Sequence, residues 1–192
     1  MIPSQVHQEV ARLSGYLDGI AVSTNYPRRY CAGAFLIEPV APDACIEQAI
    51  RDYKKSWCPD LAFDSRQRQR LPSGLSSLES DIQPLVLREA PGLDAVGLEN
   101  LRKYLSFKVM DALWYALEHQ GGLRLGPWNA VEVWRLESPP EPDSSDCIYF
   151  CVRVEQALVV LQFNDDLKWR QAVESGRIDP AAQRAEALAQ SG

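Results

Sequence analysis

Histidines, paired carboxylates and glycine-rich loops come first, because hydrolysis, metal binding and phosphate transfer depend on them. The chain contains His7 and His119 and no other histidine. A Ser-His-Asp or Cys-His site would have to use one of the two. His119 closes a long apolar-periodic segment and is followed by Gly121 and Gly122. Positive charge there complements a helix dipole, so His119 reads as a C-terminal capping residue. His7 falls in the first turns of an N-terminal helix and reads as solvent-facing. No GxSxG nucleophile elbow occurs.

Asp165 and Asp166 are adjacent acids at the end of a strand-like run. They read as a helix N-cap and a first-turn acid. A magnesium site there would need a third carboxylate, with Asp146 or Glu132 as candidates. There is no HExxH, no EF-hand loop, no GxGxxG and no GxxxxGK[ST]. Glu132-Val133-Trp134-Arg135 lacks the lysine of an acid-x-Lys nuclease strand. The sequence therefore points to no catalytic residue, metal or cofactor. The enzymatic alternative is a small hydrolase or transferase using Asp165, Asp166, Glu132 and His119.

Two charged segments suit recognition better. Arg66, Arg68 and Arg70 alternate with glutamines, with Arg28 and Arg29 elsewhere. Arginine forks bind carboxylate or phosphate. The segment 137–146 carries Glu137, Glu141, Asp143 and Asp146 without a base, and Pro139, Pro140 and Pro142 stiffen it. A stiff acidic loop loses little entropy on docking into a basic cleft. Trp134 alternates with Val131 and Val133, which sets an aromatic on the opposite sheet face. Exposed tryptophan is a mark of binding surfaces. The expected partner-binding residues are Glu141, Asp143, Asp146, Arg66, Arg68, Arg70 and Trp134.

These residues need a scaffold. With 192 residues, 46% hydrophobic and 24% charged, the chain is read as one α+β domain over 1–192. The segment Val6–Leu17 reads as a helix. Ile20–Ser23 and Tyr30–Glu38 read as an N-terminal hairpin, and Ala44–Trp57 as a helix capped by Asp43. Residues 60–92 read as an irregular excursion with one short helical turn. Leu98–Gln120 is the strongest helix. Ala130–Leu136, Cys147–Val154 and Leu158–Phe163 read as a three-stranded meander, followed by a helix over 165–174 and a tail that frays from about 179. The fold class is α+β, a mainly antiparallel sheet packed on a long central helix and shorter ones.

Lys+Arg of 20 against Asp+Glu of 26 gives a net charge of −6. Such a surface repels nucleic-acid phosphates and suits a basic partner. It is also the common solubility charge of a bacterial cytosolic protein. Cys31, Cys45, Cys58, Cys147 and Cys151 are odd in number with no CxxC, which argues against a disulfide framework or a zinc site. Cys147 and Cys151 would share a strand face about 13 Å apart at roughly 3.3 Å per residue. Reduced cysteines suggest the cytosol. The N-terminus has no basic, apolar leader pattern. No apolar run approaches the ~18 residues of a membrane helix. The functional expectation is a non-enzymatic binding protein of the bacterial immunity-protein kind, neutralising a basic toxin or effector. The alternatives are the dispersed-carboxylate enzyme and an effector chaperone or adaptor that works by strand addition.

Overall fold

The computed structural model describes residues 2–24, 32–56, 58–59, 61–64, 67–87, 90, 92–138, 146–165 and 175–176. It is an α+β fold. The helices are α1 (Ser4–Thr24), α2 (Ile46–Lys54), α3 (Gly74–Val86) and α4 (Ala95–Trp114). The strands are β1 (Ala32–Ile37), β2 (Gln69–Arg70), β3 (Val133–Glu137), β4 (Asp146–Val154) and β5 (Ala157–Asp165). A π turn, Tyr115–His119, extends α4, and a 3-10 turn, Trp128–Ala130, precedes β3. The sheet order is β1-β5-β4-β3-β2, with every pairing antiparallel.

Alternation along the central strands fills both sheet faces. Ile148, Phe150, Val152, Val159, Leu161 and Phe163 join one core with α1 and α3. Tyr149, Cys151, Leu158 and Val160 join a second core beneath α2, with Leu61 and Phe63 packed against it. The β4–β5 hairpin turns at Glu155-Gln156, where Glu155 takes φ 46°. The helix α4 lies outside α1 and α3 and packs chiefly on them.

The predicted N-terminal hairpin reduces to β1 alone. Ile20–Thr24 continue α1, because Val6, Val10, Leu13, Leu17 and Ala21 keep one buried line on a helix. Gly15 and Gly19 do not stop it. The helix α1 crosses β1 closely. Ser14 Oγ accepts from the Ala34 amide at 3.0 Å, and a Cβ at Gly33 would lie 3.1 Å from that oxygen.

The excursion over 60–92 contains structure that the reading missed. It holds β2 and the thirteen-residue α3, whose Leu75, Leu78, Ile82, Leu85 and Val86 are buried. At Gly74, φ is +49° and a Cβ would stand 2.4 Å from Val131 O, so only glycine fits this corner. The first helix after β1 is shorter than predicted, Ile46–Lys54, and its cap position is Cys45 rather than Asp43. The predicted first meander strand begins three residues late, at Val133, because Trp128–Ala130 turn as 3-10. The predicted helix over 165–174 begins inside β5, which runs to Asp165, and its remainder lies outside the described residues. The tail from 179 also lies outside them.

Candidate functional site

The short edge strand β2 carries the arginines to the tryptophan. Its register sets Arg70 opposite Trp134 and Gln69 opposite Arg135. The pairing extends past β2 at both ends. The Leu71 amide donates to Val133 O at 2.9 Å, and the Asp64 amide to Glu137 O at 2.9 Å. Asp64 and Leu71 thereby bracket β2 at the two ends of β3.

On the face beneath α2, the Arg68 guanidinium carbon lies 4.6 Å from the Trp134 ring centroid. A flat cation over an indole face is attracted by the ring quadrupole. Glu47 of α2 fixes the other side of this arginine, with Arg68 Nη1 at 3.2 Å from Glu47 Oε1. Trp134 Nε1 donates to Glu132 Oε1 at 2.6 Å, and the same oxygen lies 3.6 Å from Arg153 Nε. Arg153 also donates to the carbonyls of Ala41 and Ala44, at 3.1 and 3.2 Å. One polar chain thus runs from α2 across Trp134 to the loop before α2.

Trp134 does face away from Val133, as the alternation predicts. It is not an open aromatic. It is half-buried, because Arg68 and the second core cover this face. Arg70 is exposed.

The opposite face of β3 bears a second arginine that sequence reading passed over. Arg135 Nη2 donates to Glu137 Oε1 at 2.6 Å, and its Nη1 lies 3.6 Å from Asp81 Oδ2 of α3. With Gln67, Gln69 and Glu137 it lines a polar hollow of about 240 Å³ at the sheet edge. The signal that could have found it is the Arg135-x-Glu137 spacing. Residues two apart on a strand share a face.

Of the predicted partner-binding residues, Arg68, Arg70 and Trp134 are brought together. Arg66, Glu141 and Asp143 lie outside the described residues. The flanks of their segments are nonetheless adjacent. Asp64 is hydrogen-bonded to Glu137, and the Ser138 amide donates to Cys147 O at 2.9 Å beside Asp146, the first residue of β4.

Among the described residues, those of the enzymatic alternative are not brought together. Asp146 pairs with Asp165 at one end of β4. Glu132 accepts the Arg153 amide near its other end. Seven residues separate Asp146 and Arg153, roughly 23 Å at ~3.3 Å per residue. Glu132 is engaged with Trp134 and Arg153, and Asp166 is outside the described residues. His119 stands in the π turn with its ring 5.6 Å from Trp114 and 4.8 Å from Tyr115. His7 Nε2 lies 2.9 Å from Glu38 Oε1. Among the described residues, no group of three or more His, Cys, Asp or Glu is placed to hold a metal ion.

The described cysteines, Cys45, Cys58, Cys147 and Cys151, are thiols outside any disulfide, and Cys147 Sγ donates to Asn164 Oδ1 at 3.0 Å. Burial pushes the Cys151 thiol far above its ordinary range, and the neighbouring Glu47 carboxylate adds to this, so it is an inert core group. Burial likewise raises the Tyr149 phenol. No helix among the described residues is long and apolar enough to cross a membrane.

No family model matches the chain, and no solved structure matches it. Argininosuccinate synthase of Psychromonas ingrahamii is 25% identical over 149 residues, which is 70% of this chain and 37% of that enzyme. The chain thus spans little more than a third of that relative's length, at an identity too low to place it in the family.

Proposed function

We propose that this protein acts by binding another protein rather than by catalysis, in the manner of a bacterial immunity protein that neutralises a basic toxin or effector. The observation that carries this reading is the convergence of Arg68, Arg70 and Trp134 on the β2–β3 edge, beside the flanks of the acidic segment 139–145. Tryptophan and arginine are the side chains that most often dominate binding energy at protein interfaces. Here Glu47 and Glu132 already hold Arg68 and Trp134 in place. Binding through them would freeze few additional rotors. The net charge of −6 favours encounter with a basic partner. The partial likeness to argininosuccinate synthase covers too little of that enzyme to lend this chain its activity.

The test is retention of proteins from the source lysate on tagged chain, washed at low and high salt, with the captured species identified by mass. The expected result is one dominant basic protein, released by salt, whose toxic activity the chain suppresses. Two variants should weaken that capture with the fold intact, the pair Arg70→Ala with Trp134→Ala and the triple Glu141→Ala, Asp143→Ala, Asp146→Ala. Undiminished capture by both would sink the interface. The absence of any stoichiometric partner would sink the reading.

A further inference from the structure

Among the described residues, the outward face of α4 is left exposed. The helix buries Ser106, Val109, Met110 and Leu113 and little else. On the other side Val96 is 68% exposed, Tyr104 57%, Phe107 52% and Tyr115, at the start of the π turn, 39%. At 3.6 residues per turn, Asn100, Tyr104, Phe107, Asp111 and Tyr115 fall along one line. Tyr16 of α1 is itself exposed and lies near enough to Tyr104 for the two phenols to interact. A row of large aromatics open to water marks an interaction surface.

Toward the start of α4, Lys103 is paired to Glu99 of its own helix at 3.4 Å. At the middle Lys108 precedes Asp111, and Glu118 lies toward the end. Lys108 Nζ stands 5.8 Å from the Tyr104 ring and 5.7 Å from the Phe107 ring, so it belongs to the aromatic row. Glu118 Oε2 accepts from Trp114 Nε1 at 3.1 Å, so it borders the same row.

We propose that this face pairs with the same face of a second copy of the chain, the two α4 helices antiparallel about a two-fold axis level with Val109 and Met110. That arrangement sets Lys108 against Asp111 of the second copy and Tyr104 against Tyr115 of the second copy. Phe107 then meets Trp114 of the second copy. Each contact occurs twice, because a two-fold interface is self-complementary. A parallel pair would instead bring like charges level with each other. Lys108 ahead of Asp111 at the middle of a single aromatic row selects the antiparallel copy as the occupant. A helix of this length spans roughly 30 Å, so the contact is at the small end of specific interfaces and the dimer should be in rapid exchange.

The experiment is sedimentation of the full chain over a range of concentrations. The wild type should pass from monomer to dimer as concentration rises. Lys108→Glu or Asp111→Lys alone should raise the dissociation constant at least ~tenfold, because each puts like charges in contact. The two together should restore dimerisation by exchanging the signs. Circular dichroism on each variant separates loss of pairing from loss of fold. A wild type that stays monomeric at every concentration overturns the proposal. So does a dimer indifferent to the single reversals, or a double variant that does not recover. If the wild type is monomeric while Phe107→Ser abolishes capture of a foreign protein, the face serves that protein and the dimer is wrong. The substitutions lie on the helical layer, away from β2 and Trp134, so this proposal can fail independently of the β2–β3 interface.

Discussion

Single contacts decide how rigid the β2–β3 edge is. Arg68 is 41% exposed over the Trp134 ring and is also paired to Glu47, which is only 13% exposed. A cation–π contact with an exposed cation is worth ~0.5–1 kcal/mol. A double-mutant cycle with Arg68→Ala and Trp134→Leu should recover a coupling of about that size by urea denaturation. A coupling near zero would mean that Arg68 does not hold the tryptophan. At the far side of the molecule, Glu38 accepts from His7 Nε2 and from the Ile2 amide. An ionised carboxylate can only accept, so Nε2 must carry the proton. The His7 contact, with the Ile2 amide behind it, holds the Glu38 carboxyl below its ordinary value of 4.5. The sign follows from linkage. A lowered carboxyl pKa contributes stability at neutral pH, and that contribution disappears as pH falls through the lowered folded value. His7→Ala should therefore move the Glu38 titration midpoint upward in a side-chain NMR titration. A midpoint that stays put would show that the histidine is not the cause.

Helix α3 is the element whose placement matters most, since it supplies Asp81 to Arg135 and a large share of the first core. Leu78 is fully buried on it. Leu78→Ala should cost ~2–5 kcal/mol through lost burial and the cavity left behind, read as a lowered urea midpoint with unchanged slope. A cost below about 1 kcal/mol would mean that α3 is not part of the cooperative core. Yet α3 is the element that sequence reading lost. Its start is a glycine held at positive φ by its approach to Val131 O, and Pro84 stands inside it. Both residues signal loops when met without their neighbours. The β4–β5 hairpin was readable because strict alternation and a two-residue connection are local properties. The run Ile20-Ala21-Val22 misled because Ile20 and Val22 favour strands, while the burial line that keeps it helical begins fourteen residues earlier at Val6. The site was readable only in part for the same reason. Arg68, Arg70 and Trp134 could be named as residue types, but the Glu47 that locks Arg68 comes from another helix and leaves no pattern in the chain.

At the scale of the molecule, the two edges of the sheet are treated differently. The β2 edge has only two ladder residues, both polar and exposed, next to the hollow lined by Gln67, Gln69, Arg135 and Glu137. Short, charged edges resist indiscriminate strand pairing and leave room for a chosen partner. The β1 edge is apolar, with Ala32, Ala34, Leu36 and Ile37 buried, and would be the more hazardous one if bare. Helix α1 covers it. The Ala34 amide, turned away from β5, is taken up by Ser14 Oγ at 3.0 Å, and the absence of a side chain at Gly33 lets the helix come that close. A buried amide deprived of its acceptor costs ~1–3 kcal/mol. Ser14→Ala should lower stability by that order and speed hydrogen exchange at the Ala34 amide, while amides in the middle of β4 stay protected to the level of global unfolding. If Ala34 exchanges no faster in the variant, the hydroxyl does not seal the edge and the cover must come from the bulk of α1 alone. Faster exchange would establish that β1 is closed by one side chain. Strand addition would then be confined to the β2 side, the side on which Arg68, Arg70 and Trp134 stand.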